Sequence, residues 1–159
     1  MPASKRRSAG LLVHRGGGDA LEVLLVHPGG PFWAKRDAGA WSIPKGEYES
    51  GEEPLAAARR EFEEELGLEP PDAPPLELGD IKQKSGKLVS AWALAGDLDV
   101  SEITSNTVEV QWPPRSGRMI EIPEVDRAEW FAVEVAREKI NPAQAELLDR
   151  LVRALRDPT

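Results

Sequence analysis

Apolar and polar positions along the chain alternate in a way that predicts strands interleaved with helices. Residues 8–14 and 21–27 are compact apolar runs bounded by turn residues, which predicts two strands joined by the glycine-rich turn at 16–19. A loop is expected over residues 28–40, and residues 41–44 are expected to be extended because Pro44 pushes its predecessor towards β geometry. The clearest helix is 54–66: proline suits its first turn, Ala56, Ala57 and Ala58 favour helix, and Gly67 stops it. Beyond a stiff proline-rich linker at 70–75, strands are predicted at 76–83 and 88–94 around a Ser85-Gly86 turn, another near 107–112, and a short one at 129–131. Residues 133–140 and 143–155 read as helices, the second with apolar spacing at Leu147, Leu148, Leu151 and Leu155. There is no internal repeat, and the interleaving predicts a mixed α/β layered fold.

Length and composition narrow the picture. The chain has 159 residues and a mass of 17.4 kDa, with 40% hydrophobic and 30% charged residues, which fits a single domain over 1–159. Residues 1–7 are basic and are expected to form a flexible start, and no run approaches the ~18 apolar residues of a membrane-spanning helix. Cysteine is absent, which excludes thiol catalysis and thiolate metal sites; with His14 and His27 as the two histidines, a His-rich zinc site is remote. A cytoplasmic protein is expected. The three glycines at 16–18 are not followed by Gly-Lys-Ser/Thr, so they predict a hairpin turn and no phosphate loop.

Charge adds a local clue. The net charge of −8 argues against bulk binding to nucleic acid or to an anionic membrane. Residues 47–65 hold eight glutamates and two arginines, a net of −6, so the remainder of the chain is close to neutral at −2. At about 100° per residue, Leu55, Ala58, Phe62 and Leu66 form the packing stripe of the 54–66 helix, and Glu61, Glu64 and Glu65 gather beside it. Like charges at these spacings repel, and they occupy the helix end where cations are preferred. A bound hard cation would reverse both penalties, so the carboxylates read as metal ligands.

The spacing from Gly46 to Leu68 resembles the Nudix box, G-x5-E-x7-R-E-U-x-E-E-x-G-U, through Gly46, Glu52, Arg60, Glu61, Phe62, Glu64, Glu65, Gly67 and Leu68. Phe62 stands where aliphatic residues are more usual. The resemblance implies an α/β/α sandwich with a mixed β-sheet, covering nearly the whole chain. It implies Mg²⁺, with Mn²⁺ as a substitute, held by Glu61, Glu64, Glu65 and the Gly46 carbonyl. Glu52 would support the helix and Arg60 would orient the box carboxylates. The implied reaction is hydrolysis of a diphosphate linkage in a nucleoside diphosphate derivative by attack of water on phosphorus. The proton of that water could pass to Glu61, to Glu64, or to a further catalytic carboxylate from a later loop, for which Glu124 is chosen ahead of Asp126 and Glu121.

The Trp41-Ser-Ile-Pro-Lys45-Gly46 stretch is similar to the motif that opens the box in diadenosine tetraphosphate hydrolases and some MutT-like nucleoside triphosphatases. The resemblance places Lys45 beside the phosphates and Trp41 with the substrate. Trp33 and Phe32 could stack on a base or pack in the core, and Trp112 shares that ambiguity. Lys82, Lys84 and Lys87 surround a hairpin turn, and Lys87 is chosen as a phosphate contact. The expected ligand is a small nucleotide, either a nucleoside triphosphate or a dinucleoside polyphosphate. Two alternatives stand beside it: a diphosphoinositol polyphosphate phosphohydrolase, and a nucleotide-sensing module with the fold but no catalysis.

Overall fold

In a computed structural model the chain is described over residues 7–156. Eight strands and three helices follow one another as β1 (Arg7–Arg15), β2 (Glu22–Pro28), β3 (Lys45–Tyr48), α1 (Pro54–Leu66), β4 (Leu76–Lys82), β5 (Leu88–Ala95), β6 (Thr107–Gln111), β7 (Met119–Pro123), β8 (Val125–Ala132), α2 (Val133–Lys139) and α3 (Ala145–Arg156). The basic stretch 1–6 lies outside the described residues, whereas Arg7 already pairs with Tyr48 and Leu88 as the first residue of β1. Among the described residues no helix is long and apolar enough to cross a membrane.

The main sheet runs β4-β5-β1-β2-β8, with β3 also paired to β1. β1 and β5 are parallel over eight residue pairs and every other pairing is antiparallel, so the sheet is mixed. Parallel strands at a sheet centre are covered on both faces, and β1 shows this directly: Ala9 through Val13 is a continuous buried run. Ala9, Leu11 and Val13 pack with Ala57, Ala58, Phe62 and Leu66 of α1. Leu12, on the opposite face, joins Val23, Leu25, Ala91 and Ala93 in a cluster closed by Ala136 of α2 and Leu147, Leu148 and Leu151 of α3. The result is the expected α/β/α sandwich.

One irregularity positions the site. β1 and β2 pair only near their shared turn, at His14–Val23 and Arg15–Glu22, and then diverge. Residues 41–48 fill the gap. Ser42 exchanges backbone bonds with Val26, and the Leu11 N–H donates to the Pro44 carbonyl at 3.1 Å. The fully buried Gln144 accepts from the Ile43 N–H and donates to Ser42 Oγ, both at 3.0 Å, which ties this segment to the start of α3. Lys45 and Gly46 are thereby delivered into β3 beside Gly10 and Ala9.

Three departures from the expected elements have simple causes. The short strand expected at 129–131 is the end of an eight-residue strand paired with β2. The helix expected from 143 begins at Ala145, after a 3-10 turn at Pro142–Gln144 capped by the Asn141 side chain. β7 has no counterpart in the expected elements. It pairs only with β6, and the two form a projecting arm whose residues alternate without becoming buried.

Candidate active site

α1 places its carboxylates where the sequence spacing requires. Phe62 and Leu66 are fully buried under the sheet, Glu63 is exposed, and Glu61, Glu64 and Glu65 line one side of the helix end. That end is fixed by Gly67, at φ 66°, whose N–H donates to the Glu63 carbonyl at 2.7 Å. A β-carbon at Gly67 would also lie 2.7 Å from the Thr104 carbonyl. Gly46 serves a different purpose: a β-carbon there would fall 2.0 Å from Glu61 Oε2, so the glycine lets the Glu61 carboxylate lie against β3.

Arg60 organises the carboxylates around itself. Its guanidinium makes a two-point contact with Glu52, at 2.9 and 3.0 Å, and donates to Glu61 at 2.9 Å and to Glu64 at 3.2 Å. The planar fork makes this possible, since one cation reaches three carboxylates in fixed directions. The Arg60 bonds hold the Glu52 carboxyl below its ordinary value of 4.5. Burial pushes Glu61 above that value against the opposing pull of Arg60.

Glu65 is the most perturbed of the group. It is 6% exposed, and burial, followed by the adjacent Glu124 carboxylate, pushes it up to about 9. Glu124 hydrogen-bonds Glu65, so the structure brings this loop residue into the carboxylate cluster. Its backbone is tied on both sides: its N–H donates to the Asn106 carbonyl at 2.9 Å, and its carbonyl accepts from the Gly29 N–H at 3.1 Å. The Asn106 N–H in turn donates to the Glu64 carbonyl at 3.2 Å, which links the loop to α1. Lys45 faces the same cluster. Burial lowers its ammonium below 10.5, the neighbouring Glu65 opposes that shift, and Lys87 adds to it.

The expected substrate contacts divide. Lys87 reaches β3, where its Nζ pairs with Glu47 at 2.8 Å and its charge is felt by Lys45. Trp33 is half-buried against the α3-side core, and Phe32 of the same loop is 51% exposed. Trp41 requires a correction. It is 1% exposed, its Nε1 donates to Asp37 at 2.8 Å, and its ring meets His27 and Phe131 edge-on, so it packs in the core and offers no face to a ligand. Trp112 sits half-buried at the end of the β6–β7 arm. Sequence reasoning missed the pairing of His27 with Asp126, whose residues lie 99 positions apart. A histidine in an otherwise apolar strand was the available signal.

The side chains gathered at the end of α1, Glu61, Glu64 and Glu65, offer hard carboxylate oxygens, with the Gly46 backbone against Glu61. Such a set suits a hard divalent cation, and the buried Glu65 carboxyl beside the half-buried Glu124 is one whose ionisation positive charge would favour. The fit is one of chemistry and placement. Among the described residues no three carboxylate or imidazole groups already form a cation cage, and Arg60 bonds both Glu61 and Glu64.

Comparison with known proteins gives the family. Residues 4–151 match the profile of the NUDIX domain family. An RNA pyrophosphohydrolase of Brucella anthropi is 32% identical over 159 aligned positions, covering 84% of this chain and 86% of that protein. An octanoyltransferase of Myxococcus xanthus is 31% identical over 134 residues, covering 84% of this chain and 33% of that protein. The chain thus spans about a third of the length of the Myxococcus protein, as it does of the RNA pyrophosphohydrolases of Francisella tularensis. Among solved structures, an Ap4A hydrolase of C. elegans superimposes with a TM-score of 0.65 at 22% identity, covering 95% of this chain and 98% of that one.

Proposed function

The chain belongs to the NUDIX domain family, and on that premise we propose that it is a divalent-metal-dependent pyrophosphohydrolase of nucleoside polyphosphates. The observation that carries this reading is the meeting of Glu61, Glu65 and Glu124 with Lys45 next to Gly46, under the control of Arg60. The substrate class is a nucleoside triphosphate or dinucleoside polyphosphate, and the RNA pyrophosphohydrolase relatives add a 5′-triphosphorylated RNA end to the compounds worth testing.

Glu61, Glu64, Glu65 and the Gly46 carbonyl would hold the metal, with Mg²⁺ as the expected ion and Mn²⁺ as a substitute. When bound, a divalent cation neutralises the phosphate chain and acidifies water. The protein's residues supply the rest. Arg60 keeps Glu61 and Glu64 in register with Glu52, so that little reorganisation is needed when the substrate arrives. Lys45 and Lys87 place positive charge beside the phosphates, and Glu65 favours the charged form of Lys45 against the effect of its burial. Glu124 accepts the proton of the attacking water. Water attacks a phosphorus atom, the bridging P–O bond breaks, and the second phosphate fragment leaves as the anion.

The test is phosphate release coupled to inorganic pyrophosphatase, with chromatography of the products, in Mg²⁺ and in EDTA. The panel comprises nucleoside triphosphates, oxidised dGTP, diadenosine polyphosphates, ADP-ribose, diphosphoinositol phosphates and a short 5′-triphosphorylated RNA. Mg²⁺-dependent cleavage of one nucleotide class far above the others is expected. Preference for the diphosphoinositol phosphates would move the substrate assignment. Absence of turnover with tight nucleotide binding would replace the hydrolase by a sensing module.

A further inference from the structure

Resting on the nucleotide reading above, we propose that the exposed Phe32–Arg36 pair is the stacking surface for the nucleotide base, and that His27 is the positioning residue that holds it in place. The surface itself is unusual for an exposed loop. Phe32 is 51% exposed, and the Arg36 guanidinium lies 4.4 Å from its ring centroid while Arg36 Nε donates to the Phe32 carbonyl at 3.2 Å. Trp33 meets the Phe32 ring edge-on at 5.0 Å, has the Arg36 guanidinium 5.9 Å from its ring centroid, and packs against the core. A ring with a guanidinium stacked over one face presents its other face, with a fixed positive charge behind it, to a planar heteroaromatic base carrying an anionic phosphate chain.

The support beneath this pair combines loop turns with one buried polar side chain, His27. Within the loop, the Trp33 N–H donates to the Gly30 carbonyl and the Arg36 N–H to the Trp33 carbonyl, at 3.3 and 2.9 Å, which closes two successive turns. His27 is fully buried. Its Nε2 donates to the Arg36 carbonyl at 2.6 Å, and its Nδ1 meets Asp126 Oδ1 at 2.9 Å. The Trp41 ring packs edge-on against it at 5.1 Å, so the imidazole has one orientation. An imidazole fixed at both nitrogens fixes whatever those nitrogens touch.

The two partners of His27 lead to the two parts of the site. Arg36 carries the stacking surface. Asp126 stands two residues after Glu124, whose carbonyl accepts from Gly29 at the root of the same loop. His27 and Gly29 therefore join the loop to the Glu124 segment at two points. Ile122 of the β6–β7 arm also rests where a β-carbon at Gly30 would lie, 2.6 Å away, so the arm walls the loop on its other side. A base seated on Phe32 is thus placed at a set distance from the carboxylates, which is what a positioning residue contributes to a reaction.

The experiment compares wild type, Phe32→Ala, Phe32→Tyr and His27→Leu on ATP and on inorganic tripolyphosphate, which has the phosphate chain and no base. ADP binding is measured in parallel by calorimetry in the full-length protein, and amide exchange is followed in the loop. Phe32→Ala should raise KM for ATP and weaken ADP about tenfold, with Phe32→Tyr restoring both. The preference for ATP over tripolyphosphate should fall by the same factor. His27→Leu should shift KM in the same direction and speed exchange at the Trp33 and Arg36 amides while leaving β1 amides protected. Equal ATP and ADP affinity in wild type and Phe32→Ala overturns the stacking surface, as does wild type that binds no ADP and turns over no ATP. Unchanged loop exchange and KM in His27→Leu overturn the role of His27. Turnover by wild type reports on the hydrolase reading separately, because ADP calorimetry needs no catalysis.

Discussion

Gly46 and Glu61 occupy nearly the same space: a β-carbon on the glycine would stand 2.0 Å from Glu61 Oε2. The approach joins β3 to α1 where the Glu61 carboxylate lies against the strand. Because Glu61 ends in a flexible side chain, Gly46→Ala should displace the carboxylate without unfolding the protein. A misplacement of about 1 Å in such a site costs on the order of 10²-fold in rate. Gly46→Ala should therefore lose about that factor in kcat/KM on the nucleotide the panel identifies, with a thermal midpoint near that of wild type. Activity within about twofold would separate Glu61 from the chemistry.

Arg60 invites a sharper test, because its role depends on shape as well as charge. Arg60→Lys keeps the cation but cannot reach Glu52, Glu61 and Glu64 together. Loss of groups that orient metal-binding side chains commonly costs about 10–100-fold in metal affinity or activity. The Mg²⁺ concentration giving half-maximal activity should rise accordingly. A shift of kcat with no change in that midpoint would place Arg60 on the substrate instead.

How much of this arrangement can be read from the residues alone depends on the distance over which each part is encoded. α1 is legible because helix start, packing stripe, carboxylate spacing and glycine stop all lie within 23 residues, and Glu52, Arg60, Glu61 and Glu64 interact across that same window. Glu124 is reachable only through its position before a tryptophan-containing strand, since its contact with Glu65 is made by the fold. Trp41 misleads because a tryptophan in a functional motif looks the same in sequence whether its ring faces a ligand or the core. Here Asp37 holds its Nε1, His27 and Phe131 meet its ring edge-on, and the Arg127 guanidinium lies over the ring. β6 is legible as the strand expected near 107–112, whereas β7 leaves little trace because Ile120 and Ile122 alternate over only five residues beyond the Pro113-Pro114-Arg115 break.

At the opposite edge of the sheet, Arg150 provides a stability test that should spare activity. β4 is an edge strand with an irregularity between Glu77 and Gly79, where Gly79 adopts φ 86°. Arg150 Nη1 donates to the Leu78 and Asp80 carbonyls on either side, at 2.9 Å each, and its other nitrogen pairs with Glu146. Arg150→Met keeps much of the stem but leaves both carbonyls without that donor. Urea unfolding should show a loss of about 1–3 kcal/mol with an unchanged slope. The kcat/KM should stay within about twofold of wild type, and a stability equal to wild type would show that water replaces the guanidinium at no cost.

The last test concerns pH and uses a histidine remote from the carboxylates. His14, on β1, is 8% exposed, and burial lowers its pKa below the ordinary 6.5. The unfolded chain therefore binds a proton at His14 at a higher pH than the folded protein does. Stability from this group is fully present above 6.5, and it is lost as pH falls through 6.5 towards the lower folded value. Thermal midpoints of wild type should therefore drop more steeply between pH 7.5 and pH 5 than those of His14→Leu. Parallel curves for the two would mean that the folded protein accommodates a charged His14, and that the buried end of β1 opens to water more readily than its packing implies.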